Sequence, residues 1–343
     1  MQSRFNSLAN VVTFLLLVTG LAGSARAQTF LDRRNPDSVR VVSYNVYFNR
    51  LFQNASQNSE LGRLISSVGA DIYNFQETAQ VSAGYAQGLF DSLAPLPGGD
   101  NWKVHKAGGI MTVSRYDLSM TATSVPGGVR GIAMAQVDLP DENFSNDLFI
   151  LNNHFACCTP GEPSRQFESA AIADWVIDAT TPGGDFDLAP GTAISILGDL
   201  NTVGGPIPLD TLLHGKEGLP PDWDGTSLAD AHPLHNAVGP DDWTWQDDRT
   251  PYAPSILDYV LFTDSVLQMD HGYVLNPKTM TEAELQATGL QATDFYLATN
   301  AADHLPLVVD FVPVSTSIPE PSVFAGLALT VSVVGMRRRR KND

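Results

Sequence analysis

Three observations predict a mixed α/β (α+β) fold. Short runs rich in Val, Ile, Phe and Tyr recur along the chain. Between some of them lie stretches whose apolar residues fall at helical spacing. Between its two unusual ends the chain keeps about 290 residues of ordinary apolar content, enough for a large core in one big domain or two smaller ones.

The strand-like runs are Val41–Tyr47, Asp71–Phe75, Gly109–Ser114, Ile132–Leu139, Leu148–Phe155, Ala193–Leu197, Ile256–Phe262 and Leu307–Val312. Each combines β-branched and aromatic residues, which suit a pleated, packed surface. The first helix is expected over Glu60–Val68, where Leu61, Leu64, Ile65 and Val68 share one face. A second is expected over Ser164–Ala179, opened by Ser164. A third covers Thr281–Ala287, where Thr281 and Glu284 form a capping-box pattern. The segment 220–254, rich in Pro, Asp and Trp, reads as a long surface excursion. Pro313–Ser317 reads as a linker. No internal repeat and no boundary inside 38–313 is evident, so that span is expected to be one domain.

The ends read differently from the body. Arg4, the apolar run Val11–Ala22 and the small-x-small site Ala25-Arg26-Ala27 form an export signal spanning 1–27, with cleavage after Ala27 expected. At the other end, within 314–343, Ile318-Pro319-Glu320-Pro321 precedes the apolar stretch Val323–Met336 and the cluster Arg337–Lys341. The stretch is shorter than the roughly 20 residues of an ordinary membrane span. Motif, apolar run and basic end together resemble the PEP-CTERM sorting signal of Gram-negative bacteria. The resemblance implies transient membrane contact, processing by an exosortase-type enzyme, and a body at the cell surface or in the extracellular matrix.

The whole chain holds 20 basic and 38 acidic residues, a net charge of −18. Seven of the basic but only two of the acidic residues lie in the ends, so residues 28–318 carry 13 against 36, a net of −23. Such a surface repels polyanions at long range and speaks against tight non-specific nucleic-acid binding. It is compatible with phosphodiester hydrolysis if a divalent cation bridges the two negative partners. The only cysteines, Cys157 and Cys158, cannot build a long-loop disulfide framework. A vicinal disulfide, pairing between chains and free thiols all remain open.

Polar residues gather at or just past the ends of the apolar runs, where α/β folds place their sites. Asn45 lies in VVSYNVYF, Glu77 ends DIYNFQE, and Asn153-His154 end LFILNNH. Each alone has an ordinary structural explanation: a satisfied amide, a helix cap, a packed imidazole. In GDLN, Asp199 and Asn201 are two apart and would share a face of extended chain, and Gly198 allows close backbone approach, although a turn would use the same residues. Asp258 interrupts the apolar SILDYVLF, where a buried carboxylate is costly unless paired. Asp303-His304 precede the last strand. Asp258 needs a partner and His304 needs an orienter, so the two are expected to pair. Asp303 is then left as a metal ligand or base.

The ordered set Asn45, Gln76-Glu77, Gly109…Ser114-Arg115, Asn153-His154, Gly198-Asp199-Leu200-Asn201, Thr244-Trp245, Leu257-Asp258-Tyr259 and Asp303-His304-Leu305-Pro306 resembles the endonuclease/exonuclease/phosphatase superfamily over almost all of 38–313. The resemblance implies a four-layer sandwich of two packed β-sheets with helices outside. It also implies hydrolysis of phosphoesters with a divalent cation. By position, Glu77 would be the principal metal ligand, with Asn45 nearby and Asp303 completing the carboxylates. Asp199 would orient or deprotonate water, Asn201 would hold phosphate, and His304, held by Asp258, would stabilise the developing charge or act as base. His154 would bind phosphate or protonate the leaving oxygen, and Asn153 and Arg165 would contact substrate. Arg165 pairing with a carboxylate is the alternative. Ala302 and Asn152 depart from the family pattern without removing a catalytic group.

Oxygen-rich donors suit a hard cation, Mg²⁺ first, with Mn²⁺ or Ca²⁺ as alternatives. The expected function is an exported phosphodiesterase, most simply a nuclease on extracellular DNA or RNA, with Trp223, Trp243 and Trp245 as candidate stacking faces. A phospholipid or small-phosphoester hydrolase, such as a sphingomyelinase, is an alternative. So is a non-catalytic surface protein that kept the fold.

Overall fold

A computed structural model describes residues 28–125, 131–295 and 303–314. The expected export signal and the sorting tail beyond Val314 lie outside the described residues. Among the described residues, no helix is long and apolar enough to cross a membrane.

Twelve strands form two six-stranded sheets. The first sheet holds β1 (Val39–Asn45), β2 (Ile72–Gln76), β3 (Lys103–Ala107), β4 (Ile110–Ser114), β11 (Leu267–Val274) and β12 (Leu307–Pro313), in the order β11-β12-β1-β2-β4-β3. The second holds β5 (Leu118–Ala122), β6 (Ala133–Val137), β7 (Leu148–His154), β8 (Ala193–Asp199), β9 (Ala229–Asp230) and β10 (Asp258–Phe262), in the order β5-β6-β7-β8-β10-β9. Each sheet has one parallel pair at its centre, β1 with β2 and β7 with β8, flanked by antiparallel strands. The two sheets thus repeat one plan, which the sequence does not display as a repeat.

Apolar residues alternate along the strands and divide the interior into layers. Val39, Val41, Ile72, Leu148, Ile150, Leu197, Val260, Val309 and Phe311 form the cluster between the sheets. Val42, Tyr44, Tyr73 and Phe75 face the other way and pack on α1 (Glu60–Val68) and α2 (Ala83–Leu93). Phe149, Leu151, Ile194 and Ile196 pack on α3 (Glu162–Thr180) and α4 (Ile207–His214). The result is the expected four-layer sandwich.

The eight strand-like runs all form strands, and the three expected helices form. α5 (Glu282–Thr288) carries the capping box at Thr281 and Glu284. α3 starts two residues before Ser164, with Pro in its first turn. The sequence reading missed β3, β5, β9, β11, α2 and α4. β3 is mostly polar and partly exposed, so nothing marks it, whereas β5 does alternate apolar and polar residues but over only five positions, none of them buried.

Segment 220–254 is more than a surface excursion. Asp222, Ala231, His235, Asn236 and Thr244 are buried. Thr244 Oγ1 accepts from the backbone N–H groups of Leu257 and Asp258, both at 3.0 Å. The excursion therefore anchors the start of β10. Trp223 donates to Thr192 O, and Trp243 packs against the first-sheet core and His235. Both are packing residues, so neither offers the expected stacking face.

Candidate active site

Strand parity assembles the site. Asn45, His154, Asp199 and Asp258 lie on the same alternate positions as the inter-sheet apolar residues of β1, β7, β8 and β10. Each stands at the end of its strand, so all four project into the mouth between the sheets. Just below them the inter-sheet layer turns polar and is largely, not wholly, hydrogen-bonded: Gln76 Oε1 and Ser195 Oγ are buried without a partner. Gln76 Nε2 donates to Asn152 Oδ1 across the sheets at 2.7 Å, and Thr112 Oγ1 donates to Asn74 Oδ1 at 2.8 Å.

At the centre is Asp199, buried at the end of β8. Its Oδ2 accepts from Asn45 Nδ2 at 3.0 Å and lies 3.6 Å from Nε2 of both His154 and His304. Burial pushes the Asp199 carboxyl up to about 7, against the pull of His304. His304 Nδ1 lies 2.7 Å from Asp258 Oδ2, and both residues are buried. Burial alone would lower the imidazole pKa. The negative charges of Asp258 and Asp199 outweigh it and push His304 up to about 10. The expected Asp258–His304 pair is therefore present, and His304 Nε2 is directed toward Asp199.

Glu77 follows β2 with a left-handed backbone, φ 60°. Its Oε2 accepts from Phe48 N at 2.8 Å, and its Oε1 accepts from Asn45 Nδ2 at 3.3 Å. Tyr47, Phe48 and Asn49 are left-handed in succession, which aims the Phe48 N–H at this carboxylate. Such strained backbone persists where the surroundings over-determine it. His154 Nε2 lies 4.0 Å from Glu77 Oε1. Asp303 Oδ2 accepts from Trp245 Nε1 at 3.2 Å, while its Oδ1 is buried with no protein partner. Trp245 thus holds Asp303 rather than presenting a stacking face.

Three expectations are corrected. Asn201 does not share an extended face with Asp199. The strand ends at Asp199, Asn201 is left-handed at φ 46°, and its N–H donates to Asp199 Oδ1 at 3.0 Å. The turn brings Asn201 back over β7, where its Nδ2 donates to Phe155 O at 3.1 Å. Asn153 lies on the opposite parity from His154. Its Nδ2 donates to Leu151 O and Leu197 O, so it ties β7 to β8 and does not face the mouth. Arg165 is fully buried and donates to the carbonyls of Ala156, Cys158 and Val203. It clamps the loop after His154 instead of reaching a phosphate. Cys157 and Cys158 in that loop are exposed and not disulfide-bonded, the Cys158 S–H donating to Cys157 Sγ at 2.9 Å. Gly198 fulfils its expected role: a Cβ there would stand 2.0 Å from Asn153 O, at φ 127°.

The donor set fits a hard divalent cation. Glu77, Asp199, Asp258 and Asp303 converge with few compensating cations, and Asp258 Oδ1 and Asp303 Oδ1 are both buried without a partner. Ligand atoms of Asp199, Asp258 and His304 lie within 4.8 Å of one another and could hold an ion. There the proton on His304 would compete with it. Glu77 has only the more distant His154 Nε2, at 4.0 Å, and Asp303 accepts from Trp245 Nε1.

Residues 42–280 match the model of the Endonuclease/Exonuclease/phosphatase family. Among solved structures, a D. rerio TDP2 humanized by 14 mutations aligns with a TM-score of 0.52 at 12% identity, over 80% of this chain and 99% of that one. An endonuclease/exonuclease/phosphatase from Bacteroides vulgatus aligns at 0.51 and 14%, over 80% and 99%. ANGEL2, a 2′,3′-cyclic phosphatase, aligns at 0.51 and 16%, over 80% and 95%. At these identities the likeness shows the fold. Comparison with curated proteins returns no match.

Proposed function

The chain belongs to the endonuclease/exonuclease/phosphatase family of metal-dependent phosphoric ester hydrolases, and on that premise we propose that it is an exported phosphodiesterase cleaving extracellular nucleic acid. The observation that carries catalysis is the buried 2.7 Å contact between His304 and Asp258, with His304 Nε2 turned toward Asp199. A purely structural histidine would have no need of a second carboxylate at its other nitrogen.

Glu77, with Asn45 and Asp303 beside it, would hold the cation. When bound, the cation supplies positive charge that neutralises the phosphate and polarises its bond to the leaving group. Asp199, poised near 7 between two imidazoles, takes a proton from the attacking water. His304 enters as imidazolium and donates from Nε2 to a phosphate oxygen as negative charge builds there. Asp258 keeps Nδ1 engaged and the ring in place. His154 stands between Glu77 and Asp199 and serves the phosphate or the leaving oxygen. The second N–H of the Asn201 amide, beyond the one given to Phe155, is available to phosphate. Export to the cell surface or matrix rests on the export signal and the PEP-CTERM-like tail. Processing of that tail would be the work of an exosortase-type partner.

The test incubates purified protein with single- and double-stranded DNA, RNA, bis-p-nitrophenyl phosphate and sphingomyelin, in Mg²⁺, Mn²⁺, Ca²⁺ or EDTA, beside His304→Ala. Metal-dependent cleavage of nucleic acid, lost in the variant, supports the reading. Turnover of sphingomyelin alone would replace it with a phospholipase. Folded protein that cleaves nothing would point to a surface protein that kept the fold.

A further inference from the structure

One arginine at the mouth is not accounted for by the catalytic set. Arg249 follows the strand-like segment that holds Asp303: Gln246 N donates to Asp303 O at 2.9 Å, and Trp245 Nε1 reaches Asp303 Oδ2. From this wall, Asp247 grips Arg249 as a fork, Oδ1 accepting from Nε at 3.0 Å and Oδ2 from Nη2 at 3.2 Å. Arg249 Nη2 also donates to Tyr47 Oη at 3.1 Å. Tyr47 belongs to the loop after β1, where its N–H donates to Asn45 Oδ1 and the next N–H holds Glu77. Arg249 therefore ties the segment that holds Asp303 to the loop that holds Glu77, at the rim of the mouth.

The span is rigid but unfinished. Among the described residues Arg249 Nη1 has no acceptor, and the side chain is 52% exposed. The Arg249 guanidinium lies 5.7 Å and that of Arg50 5.1 Å from the Tyr47 ring centroid. Phe48, edge-on to Tyr47 at 5.1 Å, is 66% exposed beside Glu77. A large aromatic held in solvent by left-handed backbone is a cost that core packing does not offset. On a body with a net charge near −23, two guanidiniums on one ring at the site mouth are also against the general trend.

We propose that Tyr47, Phe48 and Arg249 form a subsite for the nucleotide next to the scissile phosphate, and that the substrate is single-stranded. Arg249 pairs with the neighbouring phosphate through Nη1, the nitrogen left over once Asp247 and Tyr47 have fixed Nε and Nη2. Phe48 gives the adjoining base a stacking face, which only an unpaired base can use. Tyr47 keeps the arginine at the right height. The assignment rests on the nuclease reading and specifies its substrate. Arg249 is a specificity-determining residue here, not a catalytic one.

The test measures kcat/KM in Mg²⁺ on a single-stranded oligonucleotide, its duplex, and bis-p-nitrophenyl phosphate, for wild type, Arg249→Ala, Arg249→Lys and Phe48→Ala. Binding of a fluorescein-labelled single strand is followed in EDTA against salt. Phe48→Ala is expected to lower kcat/KM on the single strand by about five- to a hundred-fold, through KM. Arg249→Ala should lower it at least tenfold, and should reduce the salt slope of binding by about 0.7, one phosphate contact. Arg249→Lys should restore the slope but only part of the rate, because an ammonium cannot keep Asp247 and Tyr47 while it reaches the phosphate. The losses on bis-p-nitrophenyl phosphate should be several-fold smaller. Equal losses on both substrates, a wild type that prefers duplex, or an unchanged salt slope would overturn the subsite while leaving the nuclease intact. A wild type that neither binds nor cleaves nucleic acid overturns both.

Discussion

His304 and Asp258 meet at 2.7 Å although 46 residues of chain separate them. The contact joins the approach to β12, in the first sheet, to the first residue of β10, in the second. It is therefore a cross-sheet contact, and it exists only when the two sheets are packed face to face.

Removing the charge without the shape tests what the pair does. Asp258→Asn is expected to lower kcat by about 10²–10⁴-fold, with the fold intact. Steady-state kinetics with circular dichroism on the same sample measures it. A loss below threefold would show that Asp258 does not position the imidazole.

The same pair makes stability depend on pH, measured in EDTA. The folded pKa of His304, about 10, lies above the ordinary 6.5. Its contribution is thus fully present below about 6.5 and is lost as pH rises through about 10. Asp199, raised from 3.8 to about 7, behaves with the same sign in a lower window. Its contribution is full below about 3.8 and is lost as pH rises through about 7. Urea midpoints from pH 4 to 10.5 should show both slopes. Asp199→Asn should flatten the lower one and His304→Gln the upper one.

Metal dependence has its own expected signature. EDTA should abolish turnover, and Glu77→Gln should raise the Mg²⁺ concentration for half-maximal rate by about 10–100-fold. Titration of rate against Mg²⁺ gives the value. An unchanged half-saturation point would move the cation to the Asp199, Asp258 and His304 cluster.

Away from the site, Arg40 and Asp310 form a buried two-pronged pair between β1 and β12, at 2.6 and 2.7 Å. Arg40 also donates to the carbonyls of Leu31 and Val68. Arg40→Ala leaves Asp310 buried and unpaired, so a loss of about 3–5 kcal/mol is expected. Arg40→Met with Asp310→Leu should recover much of it. Chemical denaturation of the single and double variants decides the matter.

Gly198 is expected to tolerate no side chain. An added Cβ would meet the Asn153 carbonyl oxygen at 2.0 Å, and the backbone there has φ 127°. Gly198→Ala should cost more than about 2 kcal/mol and displace Asp199, so both melting temperature and activity should fall.

Much of this was legible in the chain. The strands that carry the site are apolar enough on both faces to stand out. The anomalies within them, Asp258 above all, are costly residues that demand partners. Asn153 and Arg165 depart from expectation because neighbours in sequence need not be neighbours in function. Parity sends Asn153 to the far face from His154, and burial turns Arg165 onto backbone carbonyls. Asn201 was misplaced because strand geometry was extended one turn too far. Arg249 had no signal at all, since its loop lacks period and apolar pattern.

The sequence by itself determined the α/β character, the strands that deliver the chemistry, and the pairing of Asp258 with His304, because local periodicity and the cost of a buried charge are properties of short stretches. Tertiary structure alone decided which polar side chains face the inter-sheet mouth, that the two sheets share one plan, and that Arg249 bridges Asp247 and Tyr47. Those depend on turn dihedrals and on contacts between distant segments, 202 residues apart for Arg249 and Tyr47 and 270 for β1 and β12, which no window along the chain contains.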